Sequence, residues 1–216
     1  MIKAVIFDLD NTLYHYDYCN GLAEKVLFAQ ISAEFGVSVE GAATMLQKAK
    51  GYVKRQLGHV AASHNRLLYM QNICEQAGKN PIVYAMKFYD VYWNVMLREM
   101  VPFEYVNPLI DSLRRKNIKT GILTDMTAHI QYKKIMALGL KEKIDYIVTS
   151  EEVGVEKPSV KMFGLMLEKM AVKPDEVIMI GDSQVKDIRG ALQMGMKTLL
   201  FENGMNMYEC VITLLE

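Results

Sequence analysis

The first thirteen residues of the chain predict a short buried strand with two carboxylates directly after it. The run Val5-Ile6-Phe7 is apolar, and Asp8 and Asp10 follow it with one leucine between them. A strand this apolar is typical of a parallel sheet that is covered on both faces. Alternate side chains of a strand point to one face, so we expect both carboxylates on the same side, at the edge where α/β sheets bind ligands.

Strand and helix patterns alternate from Pro102 to about residue 200. Helical periodicity separates four further predicted strands, which lie at 119–124, 145–149, 177–180 and 197–200. This alternation predicts an α/β fold, a Rossmann-like doubly wound parallel sheet with right-handed crossovers.

Residues 18–100 carry helical periodicity and no convincing strand pattern. Roughly four helices are expected there, with Gly36 and Gly78 as stops and Pro81 as a start. The predicted organisation is therefore an α/β core formed by residues 1–17 and 101–216, with an inserted all-helical domain at 18–100. We expect this insertion to lie over the carboxyl edge of the sheet.

The composition is that of an ordinary globular chain, with 51% hydrophobic and 23% charged residues. Equal numbers of basic and acidic residues, 25 of each, argue against binding to nucleic acid or to a membrane surface. Cys19, Cys74 and Cys210 match neither a zinc spacing nor a disulfide framework, so we expect a reducing, cytoplasmic setting. No apolar run reaches the ~18 residues that cross a bilayer.

The predicted strand ends carry further reactive side chains. Thr124 ends one strand, Lys157 follows another, and Asp182 and Asp187 come after a third. In a parallel sheet these residues face the same edge as Asp8. Clustered carboxylates favour a hard cation such as Mg²⁺, and a lysine and a hydroxyl beside it form a phosphate pocket. One carboxylate could then attack phosphorus and form an aspartyl-phosphate.

Four ordered segments resemble the four motifs of the haloacid dehalogenase-like (HAD) hydrolase superfamily. They are Asp8-Leu-Asp10-Asn-Thr-Leu13, Thr124, Lys157-Pro158 and Gly181-Asp-Ser-Gln-Val-Lys-Asp187. Each motif is weak by itself, but four in the right order at predicted strand ends are highly specific. The resemblance extends from residue 1 to about residue 200, and the helical insertion is similar to the cap domain of one branch of the family.

The resemblance implies catalytic roles for four residues. Asp8 would be the nucleophile and a metal ligand. Asp10 would be the general acid and base, and its backbone carbonyl would also bind Mg²⁺. Thr124 would donate a hydrogen bond to the phosphoryl group, and Lys157 would neutralise the nucleophile and the phosphate.

Four further positions would complete the site by the same resemblance. Asp182 would complete the metal ligands. Asp187 would support the metal site from outside its ligand set, or would position Lys157. The backbone amides of Leu9 and Asp125 would bind phosphate oxygens.

The segment after Thr124 departs from the family pattern. Many members have Asn-Gly there, whereas this chain has Asp125-Met126. The Asp125 side chain could add negative charge beside the phosphate or point away, and no catalytic role is assigned to it.

Asp10 favours phosphoryl chemistry over dehalogenation, because an alkoxide leaving group needs a proton and a halide does not.

The sequence therefore predicts a Mg²⁺-dependent phosphomonoester hydrolase that acts on a small phosphorylated metabolite, a sugar phosphate or a nucleotide. Two alternatives stay open. A phosphomutase would pass the phosphoryl group to another hydroxyl, and a non-enzymatic receiver-like module would hold a phosphorylated Asp8. Neither the physiological substrate nor the oligomeric state follows from the sequence.

Overall fold

A computed structural model describes residues 1–202 and 204–215 of the 216-residue chain. The chain divides into two compact units. Met1–His15 and Val101–Glu216 form an α/β unit, and Tyr16–Met100 form a helical unit. The expected position of the helical segment over the carboxyl edge of the sheet stays a prediction.

The α/β unit is built on a five-stranded parallel sheet in the order β3-β2-β1-β4-β5, which confirms the predicted fold class. The strands are β1 Ala4–Phe7, β2 Lys119–Thr124, β3 Tyr146–Thr149, β4 Val177–Gly181 and β5 Lys197–Leu200. β1 lies at the centre, and all four of its residues are buried, as expected for a strand covered on both faces. Its last residue, Phe7, pairs with Ile122 of β2 and with Ile180 of β4.

The helical unit contains four α-helices, the number that the periodicity predicts. They are α1 Tyr16–Phe35, α2 Val39–Leu57, α3 Arg66–Gln76 and α4 Pro81–Arg98, with a 3₁₀ turn at Ala61–His64. Local signals set their ends. The Ser38 hydroxyl accepts a hydrogen bond from the Gly41 amide at the start of α2, and Asn80 caps α4, whose first residue is Pro81.

The described part of the α/β unit contains six further helices: α5 Val106–Arg115, α6 Ala128–Ala137, α7 Ser150–Val153, α8 Val160–Met170, α9 Arg189–Gln193 and α10 Met207–Leu215. The sequence did not predict α7 or α10. The helical periodicity between the predicted strands 177–180 and 197–200 indicates one helix from Gln184, but this segment begins as a π-helical turn, Gln184–Ile188, before α9. Among the described residues, no helix has the combined length and apolar character that crossing a membrane requires.

Methionines fill much of the core between the sheet and α8. Met162, Met166, Met170 and Met179 are fully buried in one hydrophobic cluster. Gly121 of β2 leaves room for them, since a Cβ there would lie 3.1 Å from the Met166 sulfur. The chain has 16 methionines, and part of this number is explained by flexible side chains that fill the space beside the sheet.

Candidate active site

The register of the sheet brings the ends of three strands to one edge. Asp8 follows β1, Thr124 ends β2 and Asp182 follows β4. Phe7 pairs with both Ile122 and Ile180, which places these three residues in one row across the sheet. Asp8, Thr124 and Asp182 each lie one or two residues beyond that row. The predicted convergence of the first, second and fourth motifs at the carboxyl edge is present in the structure.

Lys157 does not directly follow a strand as predicted, because α7 lies between it and β3, but it joins this edge through a buried ion-pair network. Its ammonium nitrogen lies 2.5 Å from Asp8 Oδ1 and 2.6 Å from Asp187 Oδ1, and it also donates to the Leu123 carbonyl at 3.0 Å. Lys157, Asp8 and Asp187 are all buried, with at most 6% of each residue exposed. Buried charges of this kind are tolerated because each is paired and hydrogen-bonded.

Burial raises the pKa of Asp8 to about 7, against the opposing effect of the nearby Lys157 ammonium. The negative charges of Asp187 and Asp10 also favour its protonated form. For Lys157, burial acts to lower the pKa, but the carboxylates of Asp8 and Asp187 outweigh it and hold the pKa above its usual range. An additional cation beside Asp8 would favour the ionised carboxylate.

Asp8, Asp182 and Asp187 form an acidic cluster at this edge. Each offers one carboxylate oxygen that lies within 4.8 Å of those of the other two. Three carboxylate oxygens are a donor set suited to a hard divalent cation such as Mg²⁺. Asp187 was predicted to act from outside the ligand set or to position Lys157; its oxygens contact the Lys157 ammonium and the Ser183 amide.

Gly181 leaves the space that Asp187 occupies. A Cβ at position 181 would lie 2.4 Å from both the carboxyl carbon and Oδ2 of Asp187. The close approach fixes the carboxylate against the end of β4, and a larger residue cannot be accommodated without moving it.

A Gly181→Ala variant is therefore expected to lower the free energy of unfolding by about 2 kcal/mol, because the added methyl group displaces a buried, ion-paired carboxylate. Urea unfolding measures this loss. Gly164→Ala is the matched control, since a Cβ at that position on α8 meets no atom within 4 Å and should raise stability by about 0.5–1 kcal/mol. Equal stability of Gly181→Ala and the parent protein would contradict the close contact.

Asp10 has partners that the sequence analysis missed. Its Oδ1 accepts a hydrogen bond from the Tyr14 hydroxyl at 2.5 Å, and the Lys134 ammonium lies 2.7 Å from Oδ1 and 2.8 Å from Oδ2. The Asp10 side chain is 24% exposed, whereas that of Lys134 is fully buried. The carboxylate of Asp10 thus accepts from Tyr14 and Lys134 and is partly exposed.

Thr12 and Gln131 also contact predicted site residues, although no role for either follows from the sequence pattern. The Thr12 hydroxyl donates to Asp8 Oδ2 at 3.2 Å. The Gln131 side-chain amide donates to the Thr124 hydroxyl at 2.5 Å and to the Asp125 carbonyl at 2.8 Å. The Thr124 hydroxyl in turn donates a long hydrogen bond to the Asp125 carbonyl at 3.3 Å, which it would have to give up to donate to a phosphoryl oxygen as predicted.

The Asp125 carboxylate is paired with Lys186 and also accepts a hydrogen bond from the backbone amide of Lys157. Its Oδ1 accepts from the Lys157 backbone amide at 3.0 Å, and its Oδ2 lies 2.7 Å from the Lys186 ammonium. This geometry answers the question that the sequence left open, because the side chain joins two loops and its charge is paired. The predicted phosphate contacts of the Leu9 and Asp125 backbone amides stay predictions.

Met126 occupies a backbone conformation that favours glycine. Its φ angle is 83°, in the left-handed region, at the position where the family pattern has Gly. The side chain is buried, and its sulfur lies 3.7 Å from the Lys134 ammonium. The departure from the family pattern thus places a thioether against the lysine that contacts Asp10.

Comparisons with known proteins agree with this geometry. The family model for haloacid dehalogenase-like hydrolases matches residues 2–195. The chain is 37% identical over 205 residues to a ribulose-1,5-bisphosphate 5-phosphatase of Halopiger xanaduensis, covering 94% of this chain and 85% of the relative. It is 32% identical over 206 residues to a glyceraldehyde 3-phosphate phosphatase of Methanopyrus kandleri, with the same two coverages.

Solved structures have the same fold. A crystal structure of a 2-haloacid dehalogenase from Pseudomonas syringae superimposes with a TM-score of 0.78 at 23% identity, covering 100% of this chain and 99% of that chain. Four ordered motifs, their convergence at one sheet edge and the family match over nearly the whole chain lead to one conclusion. The chain belongs to the haloacid dehalogenase-like hydrolase family and is a hydrolase.

Proposed function

We propose that this hydrolase is a Mg²⁺-dependent phosphomonoesterase that acts through an aspartyl-phosphate on Asp8. The observation that carries the proposal is the contact of the buried Asp8 carboxylate with the Lys157 ammonium, beside the carboxylates of Asp182 and Asp187. A nucleophilic carboxylate, a fixed cation and an acidic cluster for a metal are the groups that phosphoryl transfer to an aspartate needs.

In the first step, an Asp8 oxygen forms a bond to phosphorus while the bond from phosphorus to the leaving oxygen breaks. The leaving oxygen keeps the electron pair of that bond and takes a proton from Asp10. Lys157 and the hydroxyl of Thr124 stabilise the charge on the phosphoryl oxygens, with the backbone amides of Leu9 and Asp125 as further donors.

In the second step, Asp10 accepts a proton from a water molecule, whose oxygen attacks phosphorus. The bond between phosphorus and the Asp8 oxygen breaks, which releases phosphate and regenerates the carboxylate. Asp8, Asp182 and the backbone carbonyl of Asp10 would hold Mg²⁺, with Asp187 beside them, and the metal would neutralise charge on the transferring group.

A phosphorylated sugar or related carbonyl compound is the proposed substrate class. Both relatives above are named for the removal of phosphate from such compounds. The presence of Asp10 supports phosphate esters over halogenated acids, since it supplies the proton that an alkoxide requires.

All three cysteines are thiols, in keeping with a cytoplasmic setting.

The helical unit, Tyr16–Met100, is proposed to act as a cap that closes over bound substrate. An insertion of this size directly after the nucleophile segment could exclude bulk water from the aspartyl-phosphate and contact the leaving group.

A phosphate-release screen tests the function. Purified protein with Mg²⁺ is incubated with triose, pentose and hexose phosphates, pentulose bisphosphates, nucleoside monophosphates and 4-nitrophenyl phosphate. We expect phosphate release from 4-nitrophenyl phosphate and the highest kcat/KM on a sugar phosphate. EDTA should lower the rate at least about 100-fold, because it would remove Mg²⁺ and with it the positive charge that offsets the negative charge of the phosphoryl group.

Three outcomes would contradict the proposal. Release of chloride from 2-chloropropionate without phosphatase activity would indicate dehalogenation. Conversion of one hexose phosphate isomer into another, with little free phosphate, would indicate a mutase. A stably phosphorylated Asp8 without turnover would indicate a receiver-like module.

A further inference from the structure

Lys134 on α6 is a fully buried lysine whose charge is directed at Asp10. No part of its side chain is exposed, and its ammonium nitrogen lies within 2.8 Å of both Asp10 oxygens. A buried ammonium is costly unless a partner compensates it, so the lysine and the carboxylate constrain each other. A lysine with only a packing role would be free to extend towards solvent along the helix surface.

The Asp10 carboxylate is held by a second donor as well. The hydroxyl of Tyr14, which is itself fully buried, contacts Oδ1 at 2.5 Å. Tyr14 is also fixed through its backbone, which forms isolated bridges with Asp10 and Pro102. With the ammonium spanning both oxygens and the phenol on one of them, rotation of the carboxylate would break at least one charge-assisted hydrogen bond.

The same helix supports a second element of the site. Gln131 and Lys134 are three residues apart on α6 and therefore share a face. Gln131 contacts Thr124, and Lys134 contacts Asp10. One rigid helix thus orients both the hydroxyl assigned to the phosphoryl group and the carboxylate assigned to proton transfer.

We propose that Lys134, with Tyr14, is a positioning residue for Asp10. When Asp10 is protonated for the first step, Oδ1 accepts from Tyr14 and Lys134, and the proton on Oδ2 is directed to the leaving oxygen. Because this role rests on the proposed phosphatase function, it concerns the alcohol-leaving step of that reaction. General acid catalysis requires the donor within hydrogen-bond reach of the leaving oxygen, and a misplacement of about 1 Å can cost up to about 100-fold in rate. An ion pair that serves stability alone would affect every substrate equally.

The test uses two probes of similar size that differ in their need for a proton. 4-Nitrophenyl phosphate releases an acidic phenol, which departs readily as its anion, whereas 4-nitrobenzyl phosphate releases an alcohol. Lys134→Met is expected to lower kcat/KM for the benzyl ester about 30-fold and for the phenyl ester by less than about threefold. Since kcat/KM includes only steps up to departure of the leaving group, later hydrolysis of the aspartyl-phosphate does not mask the difference.

Lys133→Met is the matched control, because Lys133 is the exposed neighbour on the same helix and should leave both rates unchanged. Tyr14→Phe removes the other hydrogen-bond donor to Asp10 with little change of shape. It tests the positioning of Asp10 independently, should Lys134→Met fail to fold. We expect its benzyl-to-phenyl rate ratio to fall about fivefold.

The two proposals fail in different ways. A wild-type protein inactive on both esters would overturn the phosphatase function and the role of Lys134 with it. A wild type active on both, with variants that lose the same factor on each ester or lose nothing, would overturn the positioning role alone.

Discussion

An Asp8→Asn variant is expected to lose at least about 10⁴-fold in kcat for phosphate-ester hydrolysis. The carboxylate of Asp8 is the proposed nucleophile, and the amide of asparagine is a far weaker one. Neighbouring groups are poor substitutes, since Lys157 is positively charged and the Asp187 carboxylate is held by Lys157 and by the Ser183 amide. Phosphate release from 4-nitrophenyl phosphate in the presence of Mg²⁺ measures the loss.

The folded state of this variant should be at least as stable as that of the parent protein. In the metal-free protein the folded-state pKa of Asp8 is about 7, above the ordinary value of 3.8, so ionisation of Asp8 destabilises the fold as the pH rises between these values. Asparagine removes that cost and can still accept a hydrogen bond from Lys157. Urea unfolding at pH 8 with EDTA separates a catalytic loss from misfolding.

Asp175→Asn supplies the control for this experiment. Asp175 is exposed, in a 3₁₀ turn before β4, so its neutralisation should change neither the rate nor the stability measurably. If Asp8→Asn kept more than about a tenth of the parent kcat, another group would have to be the nucleophile.

The fold was largely predictable because its signals are local. Val5-Ile6-Phe7 is buried on both faces and pairs on both sides, as its continuous apolar character indicates. Ser38, Pro81 and Gly36 mark helix ends by backbone chemistry that acts within a few residues. The two missed helices lack such signals. α7 is a single turn, too short for a periodic pattern, and α10 lies beyond the last predicted strand.

Position at a strand end predicted part of the candidate site, and the order of the motifs predicted Lys157 and Asp187. Asp8, Thr124 and Asp182 follow from their positions at strand ends, since parallel strands deliver their carboxyl ends to one edge. Lys134 is 124 residues from Asp10 in the chain, and no local pattern predicts which side chain it will meet. A weaker signal was present, because Gln131 and Lys134 interrupt an otherwise apolar face of α6, where a polar residue needs a buried partner.

The orientation of the Asp125 side chain could not be predicted from its residue type and position in the sequence. A carboxylate beside a phosphate position could face the anion or turn away from it, and both are compatible with the sequence. The Lys157 amide and the Lys186 ammonium select the second orientation. Lys186 belongs to the π-helical turn after β4, so the deciding partner comes from a segment that was predicted as ordinary helix.

A Lys157→Met variant is expected to lower the free energy of unfolding by about 3 kcal/mol in EDTA at pH 8. The change keeps the length of the side chain but leaves the buried carboxylates of Asp8 and Asp187 without their shared cation. Like charges in a buried site repel, so the two carboxylates would destabilise each other. Urea unfolding measures the loss, and kcat should fall at least about 10³-fold because a charge that stabilises the phosphoryl group is gone.

Mg²⁺ then distinguishes the proposed site from a purely structural ion pair. If the acidic cluster binds the metal, Mg²⁺ should stabilise Lys157→Met more than the parent protein, since the metal supplies the positive charge that the variant lacks. Lys161→Met, at an exposed lysine on α8, should match the parent protein in stability and in its response to Mg²⁺. Equal stabilisation of the parent and Lys157→Met by Mg²⁺ would mean that the metal and the ammonium do not act on the same carboxylates. The catalytic arrangement proposed for Asp8 would then be wrong even if Asp8→Asn proved inactive.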